Sequence, residues 1–248
     1  MFSSTLKSSI AFFRKYWGSL SLAAVLIAGI PEVLFRSLID TMPSILVDQG
    51  NSSSLLSSRA IPLLKGTVGM IPITLLQAII VLMVFNDMQS GRTSLLSAVR
   101  EALPTLPKAI VIGLLSGIAV FIGNELLVIP GILAEFWLFL VIPIAMVEKD
   151  LSLGGVFKRS RTLVRGYFWP IVGITVVTMV PFMIAGIIGE LYTGGIVFGT
   201  PSHIKLGWPI LIFSVLNSLF FSIAVAFVYL RLANSNESII EPTGITAT

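Results

Sequence analysis

Six long apolar stretches constrain what this chain can fold into more than any other feature. Each approaches the roughly 20 residues that a helix needs to cross the hydrocarbon core of a membrane. The chain has 248 residues, and only 11% of them are charged, whereas a soluble domain carries about 25%. The pattern therefore predicts an all-α integral membrane protein with about six transmembrane helices. The six predicted spans are Trp17–Ile39, Ile61–Phe85, Ala109–Val128, Gly131–Val147, Phe168–Leu191 and Trp208–Leu230.

The predicted spans form three hairpins, and a short basic amphipathic segment precedes each hairpin. These segments are Leu6–Trp17, Ser94–Leu106 and Leu153–Phe168. In the third segment, apolar residues recur at helical spacing and cations occupy the other face. Such a helix lies in the membrane interface with its cations toward anionic headgroups. We therefore expect the cations of the third segment to bind anionic lipid: Lys158, Arg159, Arg161 and Arg165.

The recurring unit predicts one integral membrane domain over residues 1–232, with possible repeats 1–88, 89–147 and 148–232. The polar remainder, 233–248, is expected to be a disordered tail. Between the third and fourth spans, Pro130 and Gly131 predict a tight turn, because proline cannot continue a helical ladder and glycine relaxes the backbone. Gly113 and Gly117 form a G-x-x-x-G pattern in the third span, which permits close helix packing or dimerisation.

The cations favour one side of the predicted bundle. Most of them precede the first span, lie in the second and fourth connections, or follow the last span, as Arg231 does. The opposite connections carry only Arg59, Lys65 and Lys205. Cytoplasmic loops are enriched in Lys and Arg, so both termini are expected in the cytoplasm. This bias also accounts for the net charge of +4 without a nucleic-acid partner.

Charged residues inside predicted spans are candidate functional groups, because they are costly in a bilayer. Glu135 lies in the fourth span, where it either serves a polar or ionic site or is solvated near the outer surface. Glu32 and Arg36 are one helical turn apart in the first span and can pair locally. They either line a polar pathway or neutralise each other near an interface.

The exit of the fourth span and the entry into the fifth form a second cluster of interest. Glu148 either pairs with Arg159 or Arg165, fixing the third amphipathic helix, or is an ordinary solvated charge. Ser152 is a plausible N-cap for that helix. Trp169 is expected to anchor the fifth span at the membrane interface.

The stretch from the third span into the fifth carries a recognisable set of residues: Ile129, Pro130, Gly131, Pro143, Glu148, Arg159, Ser160, Arg165, Gly166, Phe168 and Trp169. With these residues the stretch resembles the YciC-like bacterial inner-membrane proteins and the membrane domain of some glycerophosphoryl diester phosphodiesterases. The resemblance covers about a fifth of the chain. It implies six helices, an inner-membrane location and an envelope or lipid-related role, and it supplies no established reaction.

Signatures of catalysis are weak. The chain has no cysteine and a single histidine, His203, whereas metal sites need several ligands of suitable type. No nucleotide-binding loop or nucleophile elbow is present. The sequence therefore predicts no cofactor and no metal, and the basic interfacial helices favour a non-catalytic lipid-interacting protein. The resemblance implies that its role is in envelope homeostasis. The alternative is a transporter or channel with a polar site around Glu135.

Overall fold

The structure, a computed structural model, describes residues 2–31, 34, 55–126, 128–193 and 207–240. Regular structure within these ranges is helical throughout. The first helix continues into a π-helical segment, Ala24–Gly29. In chain order the helices are α1 (Phe2–Ala23), α2 (Leu55–Ser90), α3 (Leu95–Ala102), α4 (Leu106–Leu126), α5 (Val128–Leu138), α6 (Val141–Val147), α7 (Leu153–Val164), α8 (Phe168–Thr193) and α9 (Gly207–Ile240).

Four helical segments in the described ranges are long and apolar enough to cross a membrane: Ser3–Gly29, Ile71–Ser90, Leu106–Gly123 and Val215–Ser235. Two shorter apolar segments are Gly131–Val147 and Phe168–Thr178. The fold is thus all-helical with several candidate membrane spans, as the sequence predicts. The count of six spans and their pairing into hairpins stay predictions.

Helices α2 and α9 form the centre of the bundle. They pack against each other, and the most apolar window of α9 is 67% buried, compared with 22% for that of α1. Side chains such as Ile80 and Ile223 are fully enclosed. By contrast, Val25 on the π-helical segment and Ile122 on α4 are about half exposed. Exposed apolar surface on the outer helices is expected where a bundle contacts acyl chains.

Hydrogen bonds and ion pairs join several helix ends at one end of the bundle, which we call the charged end. Lys15 Nζ donates to Asp87 Oδ1 at 2.7 Å, which links α1 to α2. Arg231 near the end of α9 donates to the hydroxyls of Ser4 and Ser8 on α1. Most cations of the described residues belong to the segments that meet here: the first half of α1, the segments between α2 and α4 and between α6 and α8, and the end of α9. Arg59 and Lys65 are the exceptions among the described residues, because they lie in the first half of α2.

Two predicted boundaries are wrong. Ile129–Gly131 is not a tight turn, because α5 begins at Val128 and includes both Pro130 and Gly131. Proline is tolerated in the first turn of a helix, where the missing N–H would have no intrahelical partner. The predicted disordered tail also begins too early, because α9 continues to Ile240. No proline interrupts the sequence before Pro242, and Ala233 is buried.

The three predicted amphipathic segments are helical with altered limits. The first is the start of α1, which is kinked at Tyr16 (φ −118°, ψ 19°) close to the predicted limit at Trp17. The second is α3, which ends at Ala102 rather than Leu106. The third is α7, which ends at Val164. Their placement in a membrane interface remains a prediction.

Candidate functional site

The predicted fourth span is broken in its middle. Helix α5 ends at Leu138 and α6 begins at Val141, with non-helical backbone at Leu140 (φ −103°, ψ 6°). Pro143 accounts for the break, because it cannot donate to the carbonyl of Phe139, four residues earlier, and its ring crowds that carbonyl. The break also frees the carbonyl of Trp137. The hydroxyl of Ser160, on α7, donates to that oxygen at 2.7 Å.

Ser160 is fully buried, so a protein side chain replaces the hydrogen bond that the broken helix lacks. Non-helical backbone at membrane depth is tolerated where protein buries it or where it lines a hydrated cavity. Ser160 is among the residues of the resemblance, but its role in supporting the break is not predicted by its neighbours in the sequence. The available sign is that a small polar residue lies on the otherwise apolar buried face of α7.

A groove of about 210 Å³ lies beside the break, lined by residues of α2, α4, α5, α6 and α9. Its polar lining residues are Thr74, Gln77, Ser116 and Glu135. Gln77 lies about 15 Å along α2 from Asp87 at the charged end, at 1.5 Å per residue. That is about half the thickness of a hydrocarbon core of roughly 30 Å. The groove therefore lies near mid-membrane if α2 crosses the bilayer.

Glu135 is exposed to this groove, and it has no ion-pair or hydrogen-bond partner among the side chains that the structure describes. The sequence left two readings open, a polar or ionic site and a solvated carboxylate, and both stay predictions. The other two intramembrane candidates, Glu32 and Arg36, lie outside the described residues. The structure therefore places one of the three candidate residues in a groove.

A close contact between α2 and α4 forms one wall of the groove. A Cβ atom on Gly113 would lie 2.6 Å from Thr74 Oγ1 and 2.9 Å from Thr74 Cγ2. Only glycine permits this approach without a shift of the threonine. The G-x-x-x-G pattern thus contributes a packing contact within the chain, at the edge of the groove.

Two features hold helix α7 in place: the N-cap at its first turn and the contacts of Glu148. The Ser152 hydroxyl accepts from the backbone N–H of Gly155 at 3.2 Å, so Ser152 is the N-cap, as predicted. Glu148 Oε1 accepts from Arg159 Nε at 3.3 Å. It also accepts from the Tyr229 hydroxyl at 3.1 Å. Of the two arginines predicted to pair with Glu148, Arg159 is the one that does so, and Tyr229 is a partner that the sequence did not indicate.

The four predicted headgroup-binding cations do not all have the same surroundings. Lys158, Arg161 and Arg165 are exposed, whereas Arg159 is partly buried in its pair with Glu148. The Arg161 guanidinium lies 4.7 Å from the centroid of the Trp137 ring, a cation–π distance. The opposite face of α7 packs into the core through Val156, Leu163 and Val164.

The segment that follows α7 leaves aromatic side chains on the surface. Gly166 lies in an exposed turn, and a Cβ atom there would have nothing within 4 Å. Trp169 is 77% exposed and Phe168 is 38% exposed. The Tyr167 hydroxyl lies 3.3 Å from the Ser235 hydroxyl, which fixes the turn against the end of α9.

Glu101, which the sequence analysis did not single out, connects α3 to two other segments. Asn86 donates to its Oε2 at 3.0 Å, and Lys149 donates to its Oε1 at 3.1 Å. The hydrogen bond from Asn86, together with the hydrogen bond and positive charge of Lys149, lowers the pKa of Glu101 below its ordinary value.

The described residues contain no group of three or more His, Cys, Asp or Glu side chains arranged to hold a metal.

Comparison with known proteins finds no match: no family model, no curated protein and no solved structure is significantly similar to the chain. The resemblance to YciC-like proteins therefore stays a prediction.

Proposed function

We propose that the protein is a non-catalytic multi-pass protein of the bacterial inner membrane that binds anionic lipid through α7. The observation that carries the proposal is the exposure of Lys158, Arg161 and Arg165 on α7, followed four residues after Arg165 by the exposed ring of Trp169. Cations attract anionic headgroups, and exposed aromatic rings favour the headgroup region of a membrane. The resemblance to YciC-like proteins adds a role in envelope homeostasis.

The proposal places the charged end, and with it both termini, in the cytoplasm. The positive-inside bias supports this orientation. A reporter fused at Gly154, at the exposed start of α7, should read as cytoplasmic. Reporters at Gly50 and Thr200, which lie outside the described residues, should read as periplasmic. The reverse pattern would reject the orientation.

Lipid selection by α7 can be tested by replacing its three exposed cations with Gln. Each cation near an anionic surface contributes about 1 kcal/mol. The triple variant should therefore bind far less anionic lipid while keeping its fold. The measurement is the ratio of anionic to zwitterionic phospholipid that copurifies with the protein, determined by mass spectrometry.

The matched control replaces three other exposed cations of the charged end, Lys7, Arg14 and Arg100, with Gln. It removes the same charge but leaves α7 unchanged, so the lipid ratio should stay close to that of the wild type. An unchanged lipid profile in the α7 variant rejects the proposal. Equal losses in both variants would show a general effect of net charge and also reject a role specific to α7.

A second candidate function is a transporter or channel, and the broken span beside Glu135 favours it. Discontinuous membrane helices and intramembrane carboxyl groups mark substrate and ion sites in many transporters. The test is solute or ion flux into proteoliposomes, comparing the wild type with Glu135→Gln. Flux that depends on Glu135 supports this candidate, and flux that is absent or identical in the two proteins rejects it.

A further inference from the structure

We propose that the groove binds a small organic cation, a protonated primary amine with a short alkyl chain, and that Glu135 is its counter-ion. The inference deepens the second candidate function by naming the class of ligand, and it is independent of lipid binding at α7. The inference concerns binding alone. A binding experiment and a transport experiment can therefore support or reject the two proposals separately.

The charge of the groove favours a cation. Its lining includes one carboxyl group, that of Glu135, and no lysine, arginine or histidine. Because the described part of the chain provides no partner for Glu135, an anionic ligand would meet uncompensated repulsion. A positively charged ligand would instead form the ion pair that the groove lacks.

The polar atoms of the groove suit an ammonium group with N–H donors. The Ser116 hydroxyl donates to the carbonyl of Ile112 at 2.7 Å, so its lone pairs are left to accept. Thr74 and Gln77 add a hydroxyl and an amide oxygen to the same lining. An ammonium group has three donors and no acceptor. The carboxylate and these neutral oxygens together match that donor set.

The same lining disfavours a divalent metal. Calcium takes 6–8 oxygen ligands, and magnesium requires near-octahedral geometry. The groove offers one carboxylate and few neutral oxygens, which is a sparse ligand set for either ion. A single carboxylate does balance the charge of one monovalent ammonium group.

The apolar part of the groove suits an alkyl chain. Phe139 and Phe221 meet edge to face, with ring centroids 5.6 Å apart, and both line the groove. Aromatic rings attract cations and also pack against methylene groups. Val120, Leu138 and Ile142 complete the apolar wall. The volume of about 210 Å³ equals that of about seven waters at roughly 30 Å³ each, which is room for a short amine.

The test uses the full-length protein in nanodiscs of zwitterionic phosphatidylcholine and radiolabelled n-butylammonium at neutral pH. We expect saturable binding that approaches one ligand per chain and is displaced by unlabelled n-butylammonium. Tetrabutylammonium, which has the same charge but greater bulk and no N–H donor, should not displace it. Calcium at matched ionic strength should not displace it either. Displacement by either ion would overturn the assigned ligand class.

Variants connect this binding to the groove. Glu135→Gln keeps the size of the side chain and should weaken binding at least tenfold, whereas Gln77→Leu should weaken it severalfold. Asp150→Asn is the matched control, because Asp150 is an exposed carboxylate outside the groove, and it should bind like the wild type. Wild-type affinity in Glu135→Gln overturns the proposal. If that variant does not fold, wild-type affinity in both Gln77→Leu and Ser116→Ala overturns it instead.

The flux and binding experiments distinguish the two ideas. Butylammonium binding without flux of any tested solute retains the inference and rejects the transporter. Flux that depends on Glu135, in a protein that does not bind butylammonium, rejects the inference and retains the transporter.

Discussion

The Ser160 hydroxyl and the Trp137 carbonyl, 2.7 Å apart, join the basic helix α7 to the break between α5 and α6. This hydrogen bond links the helix that carries the exposed cations to the break beside the groove. One face of α7 carries the exposed cations, and the other supports the break beside the groove. A change at Ser160 therefore tests whether the break needs this support.

Ser160→Ala should destabilise the protein by about 1–3 kcal/mol, because a buried carbonyl loses its donor. Thermal unfolding in detergent, followed by tryptophan fluorescence, measures the effect. Thr162→Ala is the control, because Thr162 is exposed and its hydroxyl donates within α7, to the Lys158 carbonyl. Equal melting temperatures for the two variants would show that the break is stable without Ser160.

Gly113→Ala should destabilise the protein by about 1–3 kcal/mol, because the added methyl group overlaps Thr74. Adding Thr74→Ala should recover much of the loss, since it removes the two closest atoms. Gly18→Ala is the control: a Cβ atom there meets nothing within 4 Å. In a helix interior that change should stabilise by about 0.5–1 kcal/mol. A neutral Gly113→Ala would contradict the close packing of α2 on α4.

Glu148→Ala should loosen α7, because Arg159 and Tyr229 both lose their shared acceptor. Hydrogen bonds to charged groups contribute about 1.5–3 kcal/mol each. Limited trypsin digestion should then cut faster after Lys158 and Arg161. Asp150→Ala, at an exposed carboxylate nearby, should leave the cleavage rate unchanged. Equal rates in the two variants would show that Glu148 does not hold the helix.

Glu101 should make stability fall in acid. Its pKa is lowered in the folded state by the hydrogen bond from Asn86 and by Lys149. The contribution of Glu101 to the free energy of unfolding is therefore complete above about pH 4.3, the pKa of a glutamate in the unfolded chain. That contribution is lost as the pH falls through the lower folded pKa. The difference in melting temperature between wild type and Glu101→Gln should shrink over that window. A difference that stays constant from pH 7 to pH 2.5 would contradict the prediction.

Local sequence features predicted the helical content, the Ser152 cap and the gathering of cations at one end. These follow from hydropathy, side-chain chemistry and spacing along the chain. The contact of Glu148 with Tyr229, 81 residues away, depends on the packing of separate helices. A tyrosine within an apolar stretch gives no local sign of its partner.

Pro143 marks the break in the predicted fourth span, but the apolar run on both sides of it predicts a single helix. A hydropathy profile does not show the break, because the residues on both sides of it are equally apolar. Only one sequence feature indicated the groove: the charged residue Glu135 within an apolar run. Its other polar members, such as Thr74 and Ser116, are common in membrane helices and acquire meaning only when packing brings them together.

The bond between Arg231 and Ser8 has a consequence for biogenesis. The two residues are 223 positions apart, and a ribosome adding about 5–20 residues per second needs roughly 10–45 s to make that length of chain. During this interval the polar stripe of the first helix has no α9 to dock on. The ion pair of Lys15 with Asp87 on α2 needs only the first third of the chain, whereas the contacts of α1 with α9 form late in synthesis. A nascent chain truncated before Arg231 would lack the hydrogen bonds from Arg231 to Ser4 and Ser8.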